Sequence, residues 1–192
     1  MTQNHQENRL ILASGSPRRR QLLTQLGVPF EVVVADIDET PQPGERPLDL
    51  VRRLALAKAR AVDGEPVLAA DTIVDCDGEV FGQPRDVEDA TRMLRRLAGR
   101  THRVHTGVAL RVAGAEQVAV VTTLVTMVPI TPGALEWYLA TGEPFDKAGA
   151  YAIQGAGAVL VEGIRGSVSN VVGLPLTTVA DLLRRHCGWR PG

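Results

Sequence analysis

The chain has 192 residues, of which 44% are hydrophobic and 22% charged, with a formal net charge of −1. That length can fill one full-sized core. The near-neutral charge excludes wholesale electrostatic attachment to nucleic acid or membrane, and 4% aromatic residues leave little for stacking platforms on single strands. Cys76 and Cys187 stand alone and fit neither a zinc site nor a disulfide framework, which suits a reducing compartment. No apolar run reaches the roughly 18 residues of a membrane span, and the polar opening MTQNHQEN lacks the apolar region of a signal peptide. Residues 1–8 read as a disordered tail, residues 9–188 as a single domain, and the protein as cytoplasmic.

The first expected strand covers residues 10–13 (LILA), followed by a Ser-Gly-Ser turn and a helix over 17–26. Pro17 suits the first helical position, where its missing N–H is no loss, and Ser16 is placed as the N-cap. Arg18, Arg19 and Arg20 then crowd the first turn, the wrong sign of charge for a helix start. Backbone N–H groups, the Ser14 and Ser16 hydroxyls, Gly15 and guanidinium forks at one helix start make an anion site, whose ligand would be a phosphate chain. The plainer alternative is a strand-to-helix turn with solvated arginines. A second strand is expected over 30–34. A helix over 47–62 follows, carrying Leu50, Val51, Leu54 and Ala57 at helical spacing. Next come a strand over 67–74, a hairpin turn at Asp77-Gly78, and a helix over 87–97 ended by Gly99. Residues 102–111 and 117–127, joined through Gly114, read as an antiparallel hairpin. Thr131-Pro132 opens a helix to about residue 140. Residues 142–157 read as a long glycine-rich loop, 159–164 as a strand and 174–186 as a closing helix. Strands mixed with helices predict an α/β protein with a mixed sheet. The charged loops suit a cleft between two lobes.

Within this frame Asp71 interrupts an apolar strand, VLAADTIV, with Thr72 beside it. A carboxylate there needs a partner, whether a cation, a lysine or a water to be activated, unless it is a plain strand-end carboxylate at a turn. The DIDET segment, residues 36–40, places three carboxylates in four residues, donors for a hard cation or simply an acidic loop. Lys58 is the only lysine of its helix, set in LALAKARAV. It either snorkels to solvent, neutralises a phosphate or holds Asp71. In EPFDKAGAYAIQG, residues 143–155, Asp146, Lys147 and Gln154 sit among glycines and alanines that permit close backbone approach. Gln154 offers both a donor and an acceptor, as reading a base edge requires. His102 and His105, three apart on a strand, face opposite sides, which argues against a shared metal. No Walker or Rossmann glycine pattern is present.

Together these segments resemble the Maf family of nucleotide pyrophosphatases. They follow the family's order: SGSPRR with Leu22-Leu23, IDE, Lys58-Ala59 and ADT. A Gly-x-Pro-x-Asp segment at 82–86, HxVxTGV at 102–108, DKAGAYAIQG and GSVSNVVGLPL at 166–176 complete it. The resemblance spans residues 10–183. It implies an elongated α/β fold with a mixed, twisted sheet, flanking helices and a central cleft between two lobes, related to inosine-triphosphate pyrophosphatases. It also implies cleavage of nucleoside triphosphates between the α and β phosphates with a divalent cation, Mg²⁺ or Mn²⁺. Carried over by position, Asp71 matches the catalytic carboxylate, and Glu39 and Lys58 match residues needed for activity. Asp71 and Glu39 would face the cation. Ser14, Ser16, Arg18 and Arg19 match the phosphate-binding loop. Arg18, Thr72 and Gln154 look like the specificity set of the branch acting on dTTP and UTP; a sister branch acting on 7-methyl-GTP differs there. Gln83 departs from the family, where lysine is usual. Either turnover or metal dependence then differs, or a neighbour such as Arg85 substitutes. Whether Asp71 takes the water proton or binds the cation stays open at this level.

The resulting expectation is an enzyme whose partner is a nucleoside triphosphate, not nucleic acid or membrane, with a homodimer left open. Two other classes compete. One is a nucleotide-binding regulator of cell division, which the family's link to septum formation suggests; a pure binder has no need of Asp71, Glu39 and Lys58. The other is a nucleic-acid binder using Arg18 to Arg20, opposed by the charge balance and the scarcity of aromatic residues.

Overall fold

The computed structural model describes residues 9–190; the tail expected over 1–8 lies outside them. In chain order the elements are β1 (Leu10–Ala13), α1 (Pro17–Thr24), β2 (Phe30–Val33), α2 (Pro47–Arg60), β3 (Val67–Cys76) and β4 (Glu79–Phe81). They continue with α3 (Val87–Leu97), β5 (Thr101–Val112), β6 (Ala115–Met127), α4 (Pro132–Ala140), β7 (Val161–Arg165), α5 (Val168–Val172) and α6 (Leu176–His186). The strands form one open, mixed sheet in the order β2-β1-β3-β5-β6-β7, with β4 also against β3. β1 is parallel to β2 and β3, and every other pairing is antiparallel.

Local chemistry explains the boundaries. The Ser16 hydroxyl accepts from the Arg19 N–H and Pro17 occupies the first turn of α1. Asp77 and Gly78 both take positive φ, 55° and 86°, the geometry a two-residue hairpin demands between β3 and β4. Ala113 and Gly114, at 51° and 72°, do the same between β5 and β6. The closing helix expected over 174–186 is α6, which starts two residues later, at Leu176; the short α5 before it was not expected. Ser167 caps α5 and Gly173, at φ 123°, ends it; Pro175 disfavours helical geometry at Leu174, so α6 begins at Leu176. The loop expected over 142–157 is not structureless, since short 3-10 turns at Glu143–Asp146, Ala148–Ala150 and Ala156–Leu160 fill it. The last of these delays the following strand to Val161.

Both faces of the sheet are covered. α1 and α6 close one face around Leu12, Leu23, Leu68, Leu110 and Leu183. α2 covers the other through small side chains, Ala13, Ala55, Ala59, Ala69 and Ala109, and so lies close to the sheet. A Cβ on Gly107 would stand 2.1 Å from the Val51 carbonyl oxygen. A separate core forms around the far half of β3 and β5, where Phe81, Leu94, Leu97, Tyr138 and Leu160 pack together. Among the described residues no helix is long and apolar enough to cross a membrane, and both cysteines are free thiols.

The feature that positions the site is a fork in the sheet. One edge of β3 is divided between two strands. β1 pairs with it at Val67 and Leu68, and β4 from Val74 to Cys76. Residues 69–73 lie between, while their opposite edge is paired with β5. The two halves of the molecule diverge at this gap, where Asp71 and Thr72 sit.

Candidate active site

A cavity of about 920 Å³ opens at the fork. All nine site residues expected from the sequence line it: Ser14, Ser16, Arg18, Arg19, Glu39, Lys58, Asp71, Thr72 and Gln154. Strand alternation divides them. Asp71 shares the α2 face with Ala69 and Ile73, whereas Thr72 turns to the face of α1 and α5.

On the α2 face Lys58 continues the buried stripe of Val51, Leu54 and Ala55, which aims its side chain at the sheet. Its Nζ lies 2.6 Å from Asp71 Oδ1 and 2.8 Å from Glu39 Oε1. Lys58 and Asp71 are buried, so the lysine does not snorkel; Glu39, from the loop after β2, is half-exposed. The rest of the acidic segment contributes no cage. Asp38 Oδ1 accepts from the Thr40 N–H at 2.9 Å. Among the described residues no group of three or more His, Cys, Asp or Glu side chains stands ready to hold a metal.

On the other face the Arg19 guanidinium is fixed three ways. Nε donates to the Gly173 carbonyl at 2.8 Å, Nη1 to Ser14 Oγ at 3.3 Å and Nη2 to Thr72 Oγ1 at 3.1 Å. Thr72 in turn bonds Thr106 at 2.9 Å, and Thr106 donates to the Asn170 carbonyl at 3.1 Å. Burial pulls the Arg19 pKa down, against the opposing pull of the Asp71 and Glu39 charges; an arginine remains a cation regardless. Ser14 Oγ also accepts from the Ser16 N–H at 3.2 Å, closing the loop before α1.

Arg18 spans the cavity. Nη1 lies 2.6 Å from Asp146 Oδ2 and Nη2 donates to the Asp146 carbonyl at 2.8 Å. Lys147 Nζ is 2.5 Å from the other carboxylate oxygen. Burial pushes the Asp146 carboxyl up, but Lys147 and Arg18 outweigh it and hold it below its ordinary range. Arg20 is exposed and outside the cavity wall. Gln83 lines the cavity and donates to the Asp146 carbonyl at 3.2 Å. Arg85, the expected substitute for the missing lysine, does not: ahead of α3, its Nε pairs with Asp89 at 3.2 Å, and it lies off the cavity wall. Arg18 shares the Asp146 carbonyl with Gln83, and Lys147 meets the carboxylate of the same residue.

His102 and His105 are opposed, as expected, and both are structural. His102 Nε2 bonds Tyr151 Oη at 2.7 Å, and His105 bonds Thr122 at 2.8 Å and Asp75 at 3.4 Å. The residues not foreseen are those behind the site. Thr106, Asn170 and Gly173 lie in HxVxTGV and GSVSNVVGLPL, segments that carried the resemblance without an assigned role. Tyr138 left no sequence signal beyond an aromatic in a helix.

A cleft with a buried carboxylate–ammonium pair on one wall and two fixed guanidinium groups on another is built for a polyanionic substrate attacked near its charge. The family model described as Maf-like protein matches residues 9–186, and the chain belongs to the Maf family. It is 59% identical over 181 residues to a protein of Anaeromyxobacter dehalogenans named dTTP/UTP pyrophosphatase, covering 92% of this chain and 93% of that one. Relatives of the same name from Myxococcus xanthus (54% identity; 95% and 94% covered) and a Geobacter species (52%; 91% and 94%) are similar along nearly their whole length.

Proposed function

We propose that this protein hydrolyses dTTP and UTP to the monophosphate and pyrophosphate. The observation that carries the reading is the convergence of the Lys58–Asp71–Glu39 cluster and the Arg18–Arg19 pair on one cavity, in a chain more than half identical to relatives bearing that name.

The geometry suggests the division of labour. A triphosphate carries about four negative charges, which must be spread before water can approach. Arg19, held by Gly173, Ser14 and Thr72, meets the phosphates without having to reorganise. Arg18 and Lys147 add charge once they exchange Asp146 for phosphate oxygens. Asp71 is the carboxylate for the attacking water, taking its proton or holding a cation, and Lys58 fixes its orientation through Oδ1. The donor set fits a divalent cation: Asp71 and Glu39 bring two carboxylates to one ammonium, and two carboxylates plus substrate oxygens is the set Mg²⁺ takes. When bound, Mg²⁺ or Mn²⁺ would supply charge neutralisation at the phosphates. Thr72 acts at the phosphate end, through Arg19, while Gln154, exposed on the cavity wall, reads the base edge.

The test is pyrophosphate release from dTTP, UTP, CTP, ATP, GTP, inosine triphosphate and 7-methyl-GTP, with Mg²⁺, with Mn²⁺ and with excess EDTA. Efficient turnover of dTTP and UTP, abolished by EDTA, is the expected pattern. A preference for 7-methyl-GTP or inosine triphosphate would overturn the substrate reading, and turnover of none would favour a nucleotide-binding regulator.

A further inference from the structure

The segment that carries Gln154 has no regular secondary structure between Tyr151 and Gly155, yet it is held down on both sides of the glutamine. The Ala152 N–H donates to Tyr138 Oη at 3.1 Å. The Ala156 N–H donates to Glu143 Oε2 at 2.9 Å, and the Gly157 N–H to Glu143 Oε1 at 2.8 Å. Tyr138 Oη donates to Glu143 Oε1 at 2.9 Å, which joins the anchors into one unit.

The packing is close. A Cβ on Gly155, at φ 85°, would stand 2.3 Å from Glu143 Oε2, and one on Gly157 would stand 2.6 Å from the Tyr138 hydroxyl. Burial pushes the Glu143 carboxyl up, but the Gly157 N–H, the Tyr138 hydroxyl and the Ala156 N–H outweigh it, so the group is held ionised as an acceptor. Lys147 Nζ donates to the Glu143 carbonyl at 2.6 Å and also meets Asp146, so the anchor of the Gln154 segment is tied to the Arg18 corner.

We infer that Tyr138 and Glu143 are positioning residues for substrate choice: their clamp fixes the distance between Gln154 and the phosphate end, so that a pyrimidine edge reaches the amide and a purine does not fit. This rests on the dTTP/UTP reading and deepens it. Base discrimination by one amide requires that its backbone stay put, because a segment free to shift by 1 Å would meet a larger base as readily.

The experiment compares the native protein with Glu143→Gln, Tyr138→Phe and Gln154→Ala on dTTP, UTP and ATP, with KM and kcat separated, and follows amide hydrogen exchange at residues 152–157. Glu143→Gln keeps the shape but replaces one of two acceptor oxygens with a donor. Tyr138→Phe keeps the ring in the core and removes the shared hydroxyl. Both should raise KM for dTTP and UTP, lower KM for ATP, and so reduce the pyrimidine-to-purine ratio of kcat/KM by about tenfold, the scale of one well-placed hydrogen bond. Exchange at Ala156 and Gly157 should quicken in Glu143→Gln. A general structural role would instead lower kcat/KM for every nucleotide alike, and that result overturns the inference. So does a Gln154→Ala protein that loses the preference while both clamp variants keep it. Should Glu143→Gln fail to fold, Tyr138→Phe decides alone. If the native protein itself shows no preference for dTTP and UTP, the substrate reading has failed first, and the clamp with it.

Discussion

Lys58 Nζ lies 2.6 Å from Asp71 Oδ1, with both side chains about nine-tenths buried, and holds Glu39 from the same ammonium at 2.8 Å. A lysine on the apolar stripe of a helix and an aspartate inside an apolar strand would each be costly alone. Together they satisfy one another at the one place where β3 lacks a strand at its edge.

Asp71→Asn is nearly isosteric but is neither a base nor a strong cation ligand. Turnover of dTTP is expected to fall at least roughly 100-fold with KM little changed. Pyrophosphate release at saturating nucleotide measures it, and activity within a few-fold of the native protein would remove Asp71 from the mechanism. Lys58→Met should be as damaging and should also destabilise the fold, by about 3 kcal/mol, because a buried carboxylate loses its counter-charge. Urea unfolding reads that second effect.

The three arginines of α1 should separate. Arg19→Ala removes a fixed guanidinium from the cavity wall, and Arg18→Ala removes the group that reaches Asp146. Each should lower kcat/KM for dTTP by about tenfold or more. Arg20 is exposed and off the cavity, so Arg20→Ala should stay within about twofold. If Arg20→Ala proved the worst of the three, the anion site would be misplaced.

Gln83→Lys places an ammonium at the Asp146 carbonyl, which Arg18 also reaches, with Lys147 on the carboxylate of the same residue. Arg85 is engaged with Asp89, so no charge from that side fills the role. Catalytic efficiency on dTTP should rise, by several-fold to roughly 100-fold, the range available to one positioned charge. Because Gln83 is exposed, the melting temperature should not change. An unchanged efficiency would mean that Lys147 already supplies the charge, and Lys147→Met would then be the informative partner variant.

Burial pulls the His102 pKa down to about 4, and the imidazole is 2% exposed, with no partner for Nδ1 among the described residues. The unfolded chain, titrating near the ordinary value of about 6.5, binds a proton that the folded protein refuses. Stability from this site is therefore complete above about pH 6.5 and is lost as pH falls toward 4. Between pH 7 and pH 5 the native protein should lose about 2 kcal/mol by this route. His105, also lowered by burial, adds in the same direction. Urea unfolding at the two pH values, with His102→Phe as the comparison, checks the sign. A variant with the same pH dependence as the native protein would assign the loss elsewhere.

Most elements were legible because their signals are local. A proline at a helix start, the Asp77-Gly78 turn and the β-rich runs joined through Gly114 act through neighbouring residues, and the structure keeps them within a few positions. The α5 helix, five residues long, is too short to carry a helical period, whereas the late start of the last helix after it was legible in Pro175. The filling of 142–157 was not, since 3-10 turns among glycines and alanines have no periodicity to read. At the site, residue types could be named from the chain alone: a carboxylate in an apolar strand, a lysine in an apolar helix, arginines at a helix start.

Their partnerships could not be read there. Lys58 as a buried bridge rather than a snorkelling side chain, Thr72 as a support for Arg19, Arg85 turned away to Asp89, and Glu143 holding the Gln154 segment all depend on contacts between distant parts of the chain. Short-range conformational preference sets which elements form and where they stop. Which charges meet is set by how β1 and β4 divide one edge of β3, a long-range pairing that opens the cleft and that no local pattern encodes.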